Sequence, residues 1–250
     1  MIPFLEITPA VYALTLLGAF SLGMSKTGLP GLALLNVIIM AHLFGKESVG
    51  IVLPMLVFCD LVIFPIYRKY SSWQKVWPLM IPAVVGVLIG YWILGRIEDD
   101  TTMKRAIGWT ILLMLILQLL RSRSQSFLQH LPDSRGFLIC SGLAIGTSTT
   151  VANAAGPAYS IWALVKNLSK EDFLGIGARF FLCINLLKIP FNLDLGIINE
   201  RTVKLDLALL PAILLGIYVG RQIVKRIPQK AFEWVLFWLS GLGAAWLILT

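Results

Sequence analysis

Ten apolar runs alternate with short polar connections along the chain, over residues 10–24, 30–44, 48–67, 76–97, 103–120, 136–150, 156–165, 173–191, 205–224 and 232–249. Runs of this purity predict helices embedded in lipid, because a helix needs about 20 residues to cross the hydrocarbon core. The first and second runs, and the sixth and seventh, fall short of that length. They read as paired half-length helices, each pair joined at a turn-rich tip: SKTGLPG at 25–31 and TTVANAAGP at 149–157.

The pairs recur at corresponding places, which points to an internal repeat, and the later runs support it. IPAVVGVLIGYWILGRI at 81–97 resembles LPAILLGIYVGRQIVKRI at 210–227, with Gly86 on Gly216, Gly90 on Gly220 and Arg96 on Arg226 at a spacing of 130. Smaller spacings set Gly50 against Gly175, Asp60 against Asn185 and Pro30 against Pro157. Carried into the tips, the spacing of 127 puts Lys26 opposite Asn153 and Ser21 opposite Ser148. The expected fold is therefore all-α: one polytopic membrane domain over 1–250, with repeat 1 near 8–122 and repeat 2 near 135–250. Each repeat is a broken or re-entrant hairpin followed by three transmembrane helices.

Composition agrees: of 250 residues, 58% are hydrophobic and 14% charged, and the mean hydropathy of +0.83 lies outside the range of soluble domains. The start MIPFLEI has no basic region ahead of an apolar one and is not expected to be a cleavable signal. Cys59, Cys140 and Cys183 lie in apolar runs without metal-ligand spacing, and core packing is expected for them.

The net charge of +8 is distributed unevenly. Placing the amino terminus outside gathers Arg68, Lys69, Lys75, Arg121, Arg123, Lys166 and further cations in the inner loops. The outer loops then hold most of the acids, among them Glu98, Asp99, Asp100, Asp194 and Glu200. This is the positive-inside pattern, and it puts both termini outside. Each repeat has an odd number of crossings, so the two repeats lie inverted in the membrane. The positive charge reads as a topology signal and a match to anionic lipid, so nucleic acid is not an expected partner.

Inverted repeats with broken helices are the sequence pattern of secondary transporters, whose half-helix ends hold substrate near the bilayer midplane. Irregular backbone survives at that depth only against protein or a water-filled cavity. The tips are thus the candidate site. Gly28, Gly31 and Gly156 allow tight turns and close approach, and Pro30 and Pro157 suit the first turn of a second half-helix. Free N–H groups at such ends favour an anion. Lys26 beside them costs at least about 2.5 kcal/mol at the bilayer centre. An anionic ligand would offset that cost, with Ser25, Thr27, Thr147, Ser148, Thr149, Thr150 and Asn153 as further donors. The competing reading is that Lys26 reaches an interface by its long stem while the hydroxyls cap helices.

Taken in order, GMSKTGLPGLALL, GKESVGIVLPMLVFCDLVIFPIYRKYSSW, TVANAAGP and KEDFLGIGARFFLCINLLKIPFN resemble the TauE/SafE-type sulfite exporters, also called 4-toluene sulfonate uptake permeases, over nearly the whole chain. The resemblance implies transport of sulfur oxyanions or organosulfonates, and sometimes other organic anions, through a pseudo-twofold site built from the two hairpins. Its glycine-rich positions map onto Gly23, Gly28 and Gly31, and its Asn-x-x-Gly-Pro tip onto Asn153, Gly156 and Pro157. Many members carry a purer glycine run where this chain has Ser25-Lys26-Thr27-Gly28.

Three more ionisable residues lie within spans, and intramembrane charges are by default functional candidates. Asp60 has three readings: pairing with Lys26, pairing with Arg179, or carrying a coupling proton. Arg179 is a candidate fork for a sulfonate or carboxylate, and Lys188 is expected to snorkel to the outer interface. Pro54, Pro65 and Pro190 are candidate kinks. Most of the eight tryptophans are expected in interfacial belts, and His42 and His130 near loops. The glycines at 86, 90, 216 and 220 are expected to pack helices within the protein.

These features predict a multi-pass secondary transporter of small anions in the cell membrane, a bacterial inner membrane. It would hold sulfite or organosulfonate at Ser25, Lys26, Thr27, Gly28, Ser148, Thr149, Asn153, Gly156 and Arg179, by alternating access. The expected partners are the anion, the lipid bilayer and a coupling proton or sodium ion; no cofactor, metal or catalytic residue is expected. Competing readings are an anion channel, a carrier of small carboxylates, an intramembrane enzyme, for which the tips lack a nucleophile and base, and a structural subunit of a larger complex.

Overall fold

The computed structural model describes residues 7–27, 31–124, 128, 132–223 and 229–250, with side chains in the last segment described from Trp234 onward. Ten α-helices account for nearly all of them. The first five are α1 (Pro9–Ser25), α2 (Gly31–Phe44), α3 (Glu47–Tyr67), α4 (Trp73–Arg96) and α5 (Asp100–Arg123). The second five are α6 (Arg135–Ala152), α7 (Gly156–Val165), α8 (Lys170–Asp194), α9 (Glu200–Ile223) and α10 (Gln229–Leu249).

Five helices, α3 with the short 3-10 turn Arg68–Tyr70 that continues it, α4, α5, α8 and α9, are long and apolar enough to cross a membrane. The paired helices are shorter: 17 and 14 residues for α1 and α2, 18 and 10 for α6 and α7. At 1.5 Å per residue, α7 covers only about 15 Å, half the hydrocarbon thickness.

Local chemistry sets the ends. Thr8, Asp99, Ser134 and Ser169 each accept an N–H of the turn they cap. Asn153 closes α6 in the left-handed conformation, φ 50°, a backbone region in which asparagine is enriched. Prolines sit inside four long helices: Pro54 and Pro65 in α3, Pro78 and Pro82 in α4, Pro190 in α8 and Pro211 in α9.

The helices pack in matched pairs that exchange partners between the halves. Helix α1 lies on α9 and α6 lies on α4; α2 lies on α10 and α7 on α5; α3 and α8 meet at the centre. Each hairpin is therefore held mainly by the fourth and fifth helices of the other half. Glycine makes the closest seams possible. A Cβ on Gly146 would stand 2.0 Å from the Ala83 carbonyl oxygen, and one on Gly86 2.4 Å from that of Leu143. In the other seam, a Cβ on Gly23 would stand 2.2 Å from the Ile213 carbonyl oxygen, and one on Gly216 2.2 Å from that of Phe20. These glycines bring backbone to backbone inside the protein, where there is no room for any side chain.

The core divides along the same lines. One cluster gathers Val76, Leu79, Ala83, Ile145, Phe180 and Ile184, and another Leu22, Met40, Ile51, Met55, Leu209 and Ile213. Large apolar side chains such as Ile81, Trp109, Leu207, Tyr218 and Leu242 cover the outside, as lipid contact requires. Seven tryptophans are exposed or half-exposed there, but Trp162 is buried against Tyr159. Its place on α7, the helix enclosed by α5 and α6, removes it from the expected belt. Of the cysteines only Cys59 is buried; Cys140 is exposed on α6 and Cys183 half-buried. His42 lies edge-on to Trp246, and His130 falls outside the described residues.

Candidate functional site

Where α3 and α8 cross, two hairpin ends arrive from opposite halves, and a continuous polar chain links them through the core. The Lys26 ammonium, just past the end of α1, donates to Asp60 Oδ1 at 2.7 Å. The other Asp60 oxygen accepts from Asn185 Nδ2 at 2.7 Å. Asn185 Oδ1 in turn accepts from Lys188 Nζ at 3.2 Å. The same ammonium donates to the Thr149 carbonyl at 2.7 Å, Thr149 Oγ1 at 3.1 Å and Asn153 Oδ1 at 2.8 Å. Asn153 Nδ2 completes the chain on the Val49 carbonyl of α3.

Lys188 corrects the sequence expectation. It is fully buried and does not snorkel, because four oxygens gathered around it replace water as its solvation shell. Its position near Pro190, late in a long apolar run, suggested an interface; only the tertiary fold shows that α6 ends against it. One signal was available: Lys188 sits three residues after Asn185, on the same helix face.

The two ends are equivalent in place and reversed in chemistry. Helices α3 and α8 carry Gly50 and Gly175, Asp60 and Asn185, and Pro65 and Pro190 at one spacing of 125, and the Asp60–Asn185 bond joins equivalent positions. On one side the hairpin supplies the cation and the central helix the acceptor. On the other the central helix supplies Lys188 and the hairpin the acceptors.

The hairpins themselves follow two registers. A Cβ on Gly220 would meet Thr27, and one on Gly90 would meet Thr150, which makes those threonines equivalent at a spacing of 123. The helix ends, Lys26 and Asn153, stand 127 apart. Helix α6 thus runs one turn further than α1 past the shared contact. By the packed seam, Ser25 rather than Ser21 is opposite Ser148; only at the helix ends does Lys26 match Asn153.

The remaining candidates are placed as follows. Ser25 and Ser148 are buried and donate to the carbonyls of Leu22 and Ile145, and Thr27 donates to that of Met24. Thr147 crosses to the Gly86 carbonyl and Thr150 bonds that of Gly146. Gly156 opens α7, with free space where its side chain would be. Gly28 and Pro30 lie outside the described residues. Arg179 stands apart from the chain of bonds. Its guanidinium donates to the Gly175 carbonyl and to the Arg68 carbonyl at the end of α3, and lies 5.6 Å from the Trp73 ring. A cation on the last carbonyls of a helix is favoured by the helix dipole.

The cluster formally holds two ammonium groups and one carboxylate. With both lysines protonated one positive charge is in excess, and an anion bound beside them would neutralise it. Lys26 keeps 20% of its side-chain surface exposed and lies 5.9 Å from the Phe181 ring. Among the described residues no group of His, Cys, Asp and Glu could hold a metal.

The family model for the sulfite exporter TauE/SafE matches residues 10–247. No curated protein and no solved structure matches the chain.

Proposed function

Because the chain belongs to the sulfite exporter TauE/SafE family, a family of membrane transporters of sulfur-containing anions, we propose that it is a secondary carrier of sulfite or organosulfonate. In this reading the anion is held between the two hairpin ends by Lys26 and Lys188. The observation that carries it is the buried Lys26–Asp60–Asn185–Lys188 chain, whose formal charge is +1. An oxyanion has acceptors enough to take over ammonium protons that Thr149 and Asn153 now occupy, with Ser25, Thr27, Ser148 and the Gly156 end of α7 around it.

Residues 8–122 and 135–250 act as two units inverted in the membrane. Alternating access follows from the exchange of hairpins across these units: α1 tilts with α9, and α6 with α4, against the central α3–α8 crossing. Arg179 serves as an anchor for the end of α3.

The test is radiolabelled flux into liposomes containing the purified protein. Sulfite and small organosulfonates are expected to enter faster than into protein-free liposomes, to compete with one another and to exchange across the membrane. Transport of small carboxylates without sulfur oxyanions would overturn the substrate class. A conductive current exceeding carrier turnover would overturn the carrier mechanism.

A further inference from the structure

Asp206 on α9 is buried, 5% exposed, and among the described residues neither carboxylate oxygen has a hydrogen-bond partner. It lies about 9 Å along the helix from Glu200, beside Leu205 and Leu209 of the core shared with Ile51, Met55 and Cys59 of α3. The nearest cations in sequence are committed elsewhere: Arg201 pairs with Glu47 at 3.0 Å and Lys204 with Glu200 at 2.6 Å. From α1, Tyr12 directs its hydroxyl to the Ala208 carbonyl, and Lys26 at the far end is held by Asp60. From α3, the ionisable groups are Glu47, Cys59, Asp60 and Tyr67, of which Glu47 and Asp60 are already paired. Residues 1–6, including Glu6, are outside the described set.

An ionised carboxylate without partners cannot be kept in such a place; it takes up a proton instead. We propose that Asp206 is the proton-binding site of the carrier and that its protonation is coupled to anion movement. This rests on the carrier reading above. The coupling has a mechanical route. Helix α9 is seamed to α1 through Gly23, Gly216 and Gly220, backbone against backbone, so the two move as one piece. A deprotonated Asp206 must be brought to water or a cation, which draws α9 away from α3. Helix α1 follows, and Lys26 at its end shifts against Asp60 on α3. A crevice of about 10 Å³, room for about one water, lies between Ile7, Glu47, Ile51, Arg201, Thr202 and Leu205, one helical turn from Asp206 on the Glu200 side of α9.

The experiment follows sulfite flux and internal pH together in liposomes loaded with a pH-sensitive dye, for the wild type and Asp206→Asn. Asparagine has the shape of the neutral carboxyl, so the variant is expected to keep sulfite exchange while losing the sulfite-driven pH change seen in the wild type. Three results would overturn the proposal: sulfite transport by the wild type with no proton movement, unaltered proton movement in the variant, or loss of exchange along with coupling. Absence of all anion transport in the wild type would instead refute the carrier reading, and with it the coupling that depends on it. Should the variant fail to fold, infrared difference spectra of the wild type decide. A protonated-carboxyl band that shifts on sulfite addition is expected, and its absence contradicts the assignment.

Discussion

At the scale of single residues, Lys26, Asp60 and Lys188 are joined through Asn185 in one chain of bonds, and each member depends on the next. Replacing Lys26 by Met strands Asp60, which is 5% exposed, and is expected to destabilise the protein by about 3–5 kcal/mol. Adding Asp60→Asn should restore most of that stability, because an amide tolerates the place without a cation, yet leave sulfite transport abolished. Thermal unfolding in detergent and flux in liposomes, measured on both variants, separate the structural from the functional share. Arg179→Gln makes the opposite prediction. Its bonds hold the end of α3 rather than the lysine cluster, so stability should fall by about 1–3 kcal/mol while the KM for sulfite is unchanged. Lys26 and Asp60 were visible in the sequence because a charge in an apolar run has few explanations. Lys188 and Asp206 are equally visible as charges, but their burial is not, since burial near a helix end depends on which neighbour covers it.

Helix against helix, the decisive feature is the glycine seam. Gly146→Ala places a methyl group 2.0 Å from the Ala83 carbonyl oxygen, which α4 and α6 can relieve only by moving apart. The expected result is a loss of well over 1 kcal/mol and little monodisperse protein on size-exclusion chromatography. Gly156→Ala, with open space at that position, is expected to fold and unfold like the wild type. Periodic glycines in α4 and α9 were legible as packing faces. Their partners were not, because sequence alone does not say that α4 holds the second hairpin and α9 the first. The extra turn of α6 was hidden for a related reason: aligning the tips by Pro30 and Pro157 fits the helix ends and misses the register of the packed seam.

For the whole molecule, the exchange of hairpins makes each half incomplete alone. Residues 8–122 expressed separately would leave α4 without α6 and α5 without α7, and are expected to yield no stable protein. Co-expression with 135–250 should recover a complex that survives purification. The helical membrane architecture and the family were readable from apolar spacing and motif order, since lipid allows few alternatives; of the polar chain only the Lys26–Asp60 link was among the expectations, because the bond that carries it across the centre joins Asp60 to Asn185, 125 positions away. The account as a whole turns on whether that chain receives the anion. Sulfite exchange into liposomes, compared between wild type and Lys188→Met, addresses this most directly, with thermal unfolding run in parallel to confirm that the variant is folded. The account predicts that folded Lys188→Met protein loses exchange by at least tenfold. Exchange at the wild-type rate by that variant would contradict it.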